Sequence, residues 1–326
     1  MKKELGQFYT NKNIFKNKAF IKWFKNIPVK EREHILEPFA GKNGIVKMLQ
    51  ELKLIKKYTS YDISPKDPNV QYKDTIEDFP KGFSLVVTNP PFLAKNSITR
   101  RNLDINLGQF NDSYELCLQA CLDNCNYVAA IIPESFLVTQ LFKDRLEVVI
   151  SLAQRHIFKD TEHPVCLALF GKVENNNYLI YKNENLIADK LSLSQNIDDF
   201  FQMSHSNYNV KYNHPNGNVG LIAIDATDCT KQISFINGDN ILSADVNANS
   251  RLRTRFHITG KNGKELSLEK VNKIISLLNK NLVKYRKLSS DIELTAFKGM
   301  RDDGSYRRRL DFTTARKLVE LTLSKV

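Results

Sequence analysis

Residues 85–94 read LVVTNPPFLA. A run of apolar, β-branched residues meets an asparagine, two prolines and a phenylalanine. Each proline fixes φ and removes an N–H donor, and the residue before a proline is held extended. The exit from such a strand is rigid and leaves carbonyls to accept hydrogen bonds. Asn89 adds a side-chain carbonyl, Pro90 and Pro91 stiffen the turn, and Phe92 offers a flat apolar face. Two acceptors and a stacking ring suit an exocyclic amine on a planar base. Accepting both of its hydrogens draws lone-pair density out of the ring, so that the nitrogen can attack an electrophilic methyl in line. No general base of unusual pKa is needed. The plainer reading is a proline-rich loop that happens to end a strand.

Two further strand ends carry ligand-like residues. In LEPFAGKNG (36–44) a short strand stops at Pro38 and glycines follow before a helix, the place where a nucleotide-like ligand meets backbone amides. Gly41 allows close approach, and Glu37 favours a cationic ligand over a phosphate. In YDIS (61–64) Asp62, followed by Ile63, stands at a second strand end, where a ribose diol is gripped; a solvated loop aspartate is the alternative. Asp74, after a third strand, is placed to accept from an adenine amino group.

Residues 34–174 alternate strands and helices. HILEPF, YTSYDI, VQYKD, FSLVVTN, NYVAAIIP and PVCLALFGKV read as strands. GIVKMLQELKLI and SYELCLQACLD carry apolar residues at helical spacing. SFLVTQLFKDRLEVV reads as a helix running into a strand. This pattern argues for an α/β fold with a parallel, doubly wound sheet and ligands at the strands' C-terminal ends. The polar break VENNNY (173–178) is the best boundary, giving domains 1–174 and 175–326, the second α+β. Within the latter, 268–288 is an amphipathic helix, and FTTARKLVELTLSKV is a terminal helix capped at Thr313 or Thr314.

The net charge of +12 is unevenly spread: residues 251–326 hold 19 lysines and arginines against 8 acids. A concentrated basic segment points to a polyanion, most often nucleic acid. Arg251, Arg253 and Arg255 alternate as on one face of a strand, and Arg301, Arg307, Arg308 and Arg309 flank a turn. Either cluster suits phosphates or guanine edges. Lys95, Arg100 and Arg101 follow the Asn-Pro-Pro-Phe exit and suit phosphate near a reacting base; a solvated loop is the alternative. No apolar run reaches membrane-spanning length. The basic N-terminus has no apolar stretch behind it, and five cysteines, an odd number, read as reduced thiols in a cytoplasm. Cys117, Cys121 and Cys125 recur every four residues but lack paired histidines or a second cysteine cluster, so they read as a packed helix face rather than a metal site.

In order and in residues the chain resembles the S-adenosylmethionine-dependent N6-adenine DNA methyltransferases of the gamma arrangement, as found in type II restriction-modification systems. GQFYT is similar to their first cofactor motif, EPFAGKNG to the Gly-rich motif, YDIS to the acidic ribose motif, KDTIEDF to the adenine motif, and TNPPF to the catalytic tetrapeptide. RHIFKDTEHPVCLALF is similar to the stretch whose phenylalanine packs a flipped base. MRDDGSYRRRLDF resembles a subgroup recognising short palindromes of the CATG type. The resemblance implies a Rossmann-like methyltransferase domain followed by a target-recognition domain. It implies S-adenosylmethionine held by Phe8, Tyr9, Thr10, Glu37, Pro38, Gly41, Asp62, Ile63, Asp74 and Asn89, and catalysis by Asn89, Pro90, Pro91, Phe92 and Phe158, with no metal. It also implies a monomer acting on double-stranded DNA, with a separate cognate restriction endonuclease. Three residues depart from the pattern: Asn43 stands where a second glycine is usual, Asn11 where a proline follows GQFYT, and Lys42 where a small or acidic residue is usual. Asparagine tolerates left-handed backbone, so the loop geometry is expected to survive. Competing readings are a methyltransferase acting on an RNA base or a protein glutamine, and a DNA-binding protein with an inactive methyltransferase fold.

Overall fold

The computed structural model describes residues 12–152, 163–246 and 252–326. The chain divides into two compact units, Met1–Lys190 and Leu191–Val326.

In the first unit the strands are β1 (His34–Glu37), β2 (Lys57–Asp62), β3 (Gln71–Tyr72), β4 (Leu85–Thr88), β5 (Tyr127–Pro133), β6 (Leu146–Ser151), β7 (Val165–Phe170), β8 (Leu179–Lys182) and β9 (Asn185–Asp189). They form one sheet in the order β3-β2-β1-β4-β5-β7-β6-β8-β9. Strands β3, β2, β1, β4 and β5 are mutually parallel. This is the Rossmann-like half of the fold, and the strand order reverses between β1 and β4, where such sheets bind ligands. All of β4 and nearly all of β5 is buried, as strands covered on both faces must be.

The sheet is mixed rather than wholly parallel. β7 inserts antiparallel between β5 and β6, and β9 runs antiparallel to β8. The Arg145 side chain ties this region together by donating to the carbonyls of Gly171 (2.7 Å), Leu122 (2.7 Å), Cys125 (2.9 Å) and Asn126. Because the β8–β9 hairpin belongs to this sheet, the first unit runs on to Lys190, and the break at 173–178 is a loop inside it.

The expected helix after β5 is only a short 3-10 turn, Glu134–Val138. The Thr139 amide bonds back to the Phe136 carbonyl, to which Lys143 Nζ also donates at 2.9 Å, and Thr139 turns extended. The helix Ser113–Asn124 buries Cys117 and Cys121 on its packed face, with Cys125 buried at its end. Burial pushes the Cys117 thiol up. Among the described residues no group of histidines, cysteines and carboxylates is arranged to hold a metal, and no helix is long and apolar enough to cross a membrane.

The second unit is α+β. Strands β10 (Tyr208–Tyr212), β11 (Val219–Ile222), β12 (Ser234–Asn237) and β13 (Arg253–Gly260) make an antiparallel sheet in the order β10-β13-β11-β12. Helices Leu268–Ser289 and Phe312–Leu323 share a core with it through Ile274, Leu278, Leu318, Phe235 and Phe256. β14 (Thr295–Met300) and β15 (Tyr306–Arg309) form a hairpin. The terminal helix is capped by Asp311, which accepts from the Thr314 amide, rather than by a threonine; a carboxylate also meets the positive end of the helix dipole.

Candidate functional site

The C-terminal ends of β1 and β4 lie side by side, fixed by the pairing of Leu36 with Val86. Across them the Thr88 hydroxyl donates to Glu37 Oε1 at 2.6 Å, and the Phe39 amide donates to the same oxygen at 3.1 Å. Glu37 is 1% exposed. Burial pushes its carboxyl up to about 8, although the Thr88 and Phe39 bonds pull the other way.

The turn after β1 is built on two left-handed residues, Gly41 (φ 51°) and Asn43 (φ 60°). Asn43 is buried and its Oδ1 accepts from the Ser60 hydroxyl at 2.8 Å. The asparagine therefore takes the glycine-like conformation and anchors the turn to β2. At the end of β2, Asp62 accepts from the Gly41 amide with Oδ2 (2.8 Å) and from the Ser64 amide with Oδ1 (2.7 Å). Its carboxylate is thus held rigidly beside the turn, each oxygen keeping a lone pair to spare. The next residue, Ile63, is 51% exposed, an apolar surface at the strand end. Pro38 offers its carbonyl to the buried Thr75 hydroxyl at 3.0 Å, which fastens the loop after β3 to the end of β1. Asp74 lies in that loop, past β3, and its Oδ1 caps the turn by accepting from the Ile76 and Glu77 amides.

The Asn-Pro-Pro-Phe segment leaves β4 next to these loops. Asn89 is half-buried and Pro90 buried. Not every carbonyl is left open, as the sequence had implied: Pro91 accepts from the Ser113 hydroxyl at 2.6 Å. Phe92 is 6% exposed, with its ring edge-on to Tyr114 (6.4 Å) and tilted against His163 (5.9 Å), so it is packed in rather than presented to solvent. The start of the helix Ser113–Asn124 grips the following residues too. Asp112 Oδ1 accepts from the Leu93 amide (2.9 Å), the Ser113 amide donates to the Leu93 carbonyl (3.1 Å), and the Lys95 amide donates to Asn111 (2.8 Å). Asp112 is itself the helix cap, and burial pushes it up to about 6. Sequence reasoning missed this brace. The cap signal is visible in DSYE, but nothing in it tells that the cap also holds a loop 19 residues upstream. Thr88 and Thr75 were missed for the same reason.

Beyond the brace, Leu93, Ile98, Leu107 and Phe110 form a small core of their own. It orders the helix Lys95–Arg100, on which Lys95 and Arg100 are exposed, as is Arg101 just past its end.

The second unit's arginines are placed differently from expectation. Arg308 is 2% exposed, donating its Nη1 to the Leu294 carbonyl and its amide to Asp225. Arg301 is buried, donating to the Cys229 carbonyl at 2.8 Å. Arg255 is buried under the turn at 213–217, donating to the Pro215 carbonyl at 2.7 Å. Arg307 is half-buried and bonds the Asp225 carbonyl. All four side chains donate to backbone carbonyls within the unit, and the carboxylate of the fully buried Asp225 is met by Arg301 at 3.9 Å and by Arg286, which reaches both of its oxygens at 2.8 and 2.9 Å. Burial alone would raise the Asp225 carboxyl, but the Arg286 bonds outweigh it and hold it low. Of the seven arginines proposed from sequence, Arg253 is exposed and Arg309 half-buried. Phe8, Tyr9, Thr10, Phe158 and Arg251 lie outside the described residues.

No family model matches the chain, and no curated protein does. Solved structures are similar at low identity. The methyltransferase subunit of a type I restriction-modification system from Streptococcus thermophilus is 14% identical over 76% of this chain and 60% of its own, with a TM-score of 0.37. The M protein of the type I restriction enzyme EcoKI is 14% identical over 47% of this chain and 44% of its own, TM-score 0.34. A nuclease-deletion mutant of the type ISP restriction-modification enzyme LlaGI, solved with a DNA substrate mimic, is 13% identical over 56% of this chain and 28% of its own, TM-score 0.41. The chain spans less than two thirds of the length of each, and every score lies below 0.5.

Proposed function

We propose that this chain transfers a methyl group from S-adenosylmethionine to N6 of adenine in a short double-stranded DNA sequence. One observation carries the reading: the Thr88–Glu37 bond sets the TNPPF segment directly beside the turn that fits the cofactor, at the point where the strand order reverses. The residues at that turn fit S-adenosylmethionine by their chemistry. Asp62 is a fixed carboxylate suited to a diol, Ile63 an exposed apolar face suited to a purine, and Glu37 a buried acid suited to a cation. A phosphate would find acids here instead of donors. When bound, the group supplies an electrophilic methyl.

The chain's own residues do the rest. Asn89 Oδ1 and the Pro90 carbonyl accept the two hydrogens of the amine and fix its orientation, Phe92 forms the wall behind the base, and the family resemblance assigns Phe158, outside the described residues, to its other side. The amine's surplus proton leaves after transfer, so no residue need act as a strong base. Reaching this site requires the adenine to rotate out of the duplex, at a cost of a few kcal/mol. The second unit reads the sequence. By this reading the chain is a modification enzyme of the type II, gamma arrangement with a CATG-like target. It works as a monomer in the cytoplasm beside a separate restriction endonuclease.

The test is expression in a host free of DNA methylation, followed by mapping of N6-methyladenine across its genome. Methyl groups at every copy of one short motif, absent with Asn89→Ala, support the reading. An unmethylated genome from well-folded wild-type protein refutes it.

A further inference from the structure

The arginines that sequence pattern offers as DNA contacts are largely consumed inside the second unit, yet its surface keeps a strongly positive face elsewhere. The helix Leu268–Ser289 carries no acid from Lys270 to its end. Val271, Ile274, Leu278, Leu282 and Tyr285 face the core. Lys273, Lys280, Lys284 and Lys287 are exposed. Their spacings of seven, four and three residues put them on one face. The other exposed residues of that face are the neutral Ser276 and Val283, and Glu269 stands at its N-terminal end. None of the four lysines forms an ion pair among the described residues. From Lys273 to Lys287 the helix rises about 21 Å, the length of about six base-pair steps.

We propose that this lysine face is the surface on which the second unit holds the sugar-phosphate backbone of duplex DNA. The proposal rests on the reading above. Charge complementarity argues for it. A row of like charges on one rigid helix, none of them in an ion pair among the described residues, is costly to keep on a folded domain and matches the spread of charge along a duplex. Lysine, a point charge on a flexible stem, contacts phosphates without reading bases. The face therefore supplies affinity and register, while sequence choice lies elsewhere.

The experiment replaces Lys273, Lys280, Lys284 and Lys287 together by glutamine, a good helix former, and measures duplex binding by fluorescence anisotropy across a salt series. A matched control replaces four exposed lysines of the first unit, Lys22, Lys25, Lys53 and Lys56. Thermal melting confirms that both variants fold. Expected is a slope of log K against log[salt] shallower by about 0.9 for each phosphate that is no longer neutralised, and by at least about two units in all. Binding to cognate and scrambled duplexes should weaken alike, and the control should keep the wild-type slope. An unchanged slope in the face variant, or equal flattening in the control, overturns the proposal while leaving the methylation reading intact. Preference of the wild type for RNA over duplex DNA also overturns it. A folded wild type that neither binds duplex DNA nor methylates it takes down both.

Discussion

Glu37 and Asn43 each do something their residue type rarely does. Burial pushes the Glu37 carboxyl up to about 8 from an ordinary value of 4.5. The folded state therefore holds an extra proton between those values, and its stability falls as pH rises from about 4.5 to about 8. Glu37→Gln, which mimics the protonated form, should flatten that fall, a difference on the order of a few kcal/mol at pH 8. Urea midpoints measured from pH 5 to 8.5 check it, and parallel slopes in the two proteins would contradict the assignment. Asn43 keeps a left-handed backbone and a bond from Ser60. Asn43→Ala should cost about 1–2 kcal/mol, since alanine tolerates the left-handed backbone less well than asparagine and loses the bond. Asn43→Gly should cost less by about 1 kcal/mol, a ranking that chemical denaturation can test. The sequence already showed Asn43 in a glycine's place and its tolerance of that conformation. It could not show the Ser60 contact, which joins residues 17 apart.

At the level of elements, what was legible followed from local pattern. β1, β4 and β5 announce themselves by apolar runs and β2 by the residues at its end, so the strand ends were legible in position. Strand direction was not legible for β7, because a fully apolar strand has the same periodicity either way round. The stretch after β5 has apolar residues at helical spacing, yet backbone and Lys143 bonds to the Phe136 carbonyl stop the turn. The brace on the Asn-Pro-Pro-Phe loop is likewise a tertiary fact. Ser113 holds the Pro91 carbonyl, and the loop it steadies carries Asn89. Ser113→Ala should lower kcat by about 10- to 100-fold, as small misplacements of reacting groups do. Binding of S-adenosylmethionine should hold and stability should fall by only about 1 kcal/mol. Ser113→Thr, which keeps the hydroxyl, should recover part of the rate. Single-turnover methylation alongside calorimetric cofactor binding separates these outcomes, and loss of both together would reduce Ser113 to a structural role.

For the whole molecule, sequence charge located the basic segment but not which charges face outward. Arg255, Arg301 and Arg308 look like neighbouring exposed arginines in a string of letters. Their partners are distant in sequence: Arg301 reaches the Asp225 carboxylate, Arg308 the Leu294 carbonyl, and Arg255 the turn at 213–217. Asp225→Asn should destabilise the second unit by about 3–5 kcal/mol, because Arg286 then stays buried without its full countercharge. As the Asp225 carboxyl is held low in the fold, its contribution is present at neutral pH and fades only in acid, so wild type and variant should converge as pH drops. Melting curves from pH 7 down to 3 would reveal a constant gap if the argument were wrong. The insertion of β7 between β5 and β6 bears on how the protein comes into being. On the ribosome, the five parallel strands are complete once Pro133 has emerged, but β5 then has a neighbour on one side only. Its open flank is a seven-residue apolar edge that stays bare until Val165–Phe170 is made. Such an edge invites pairing with other chains. A nascent chain stalled within that interval is a natural client for chaperones, and a transcript truncated there should yield aggregate rather than a smaller folded domain.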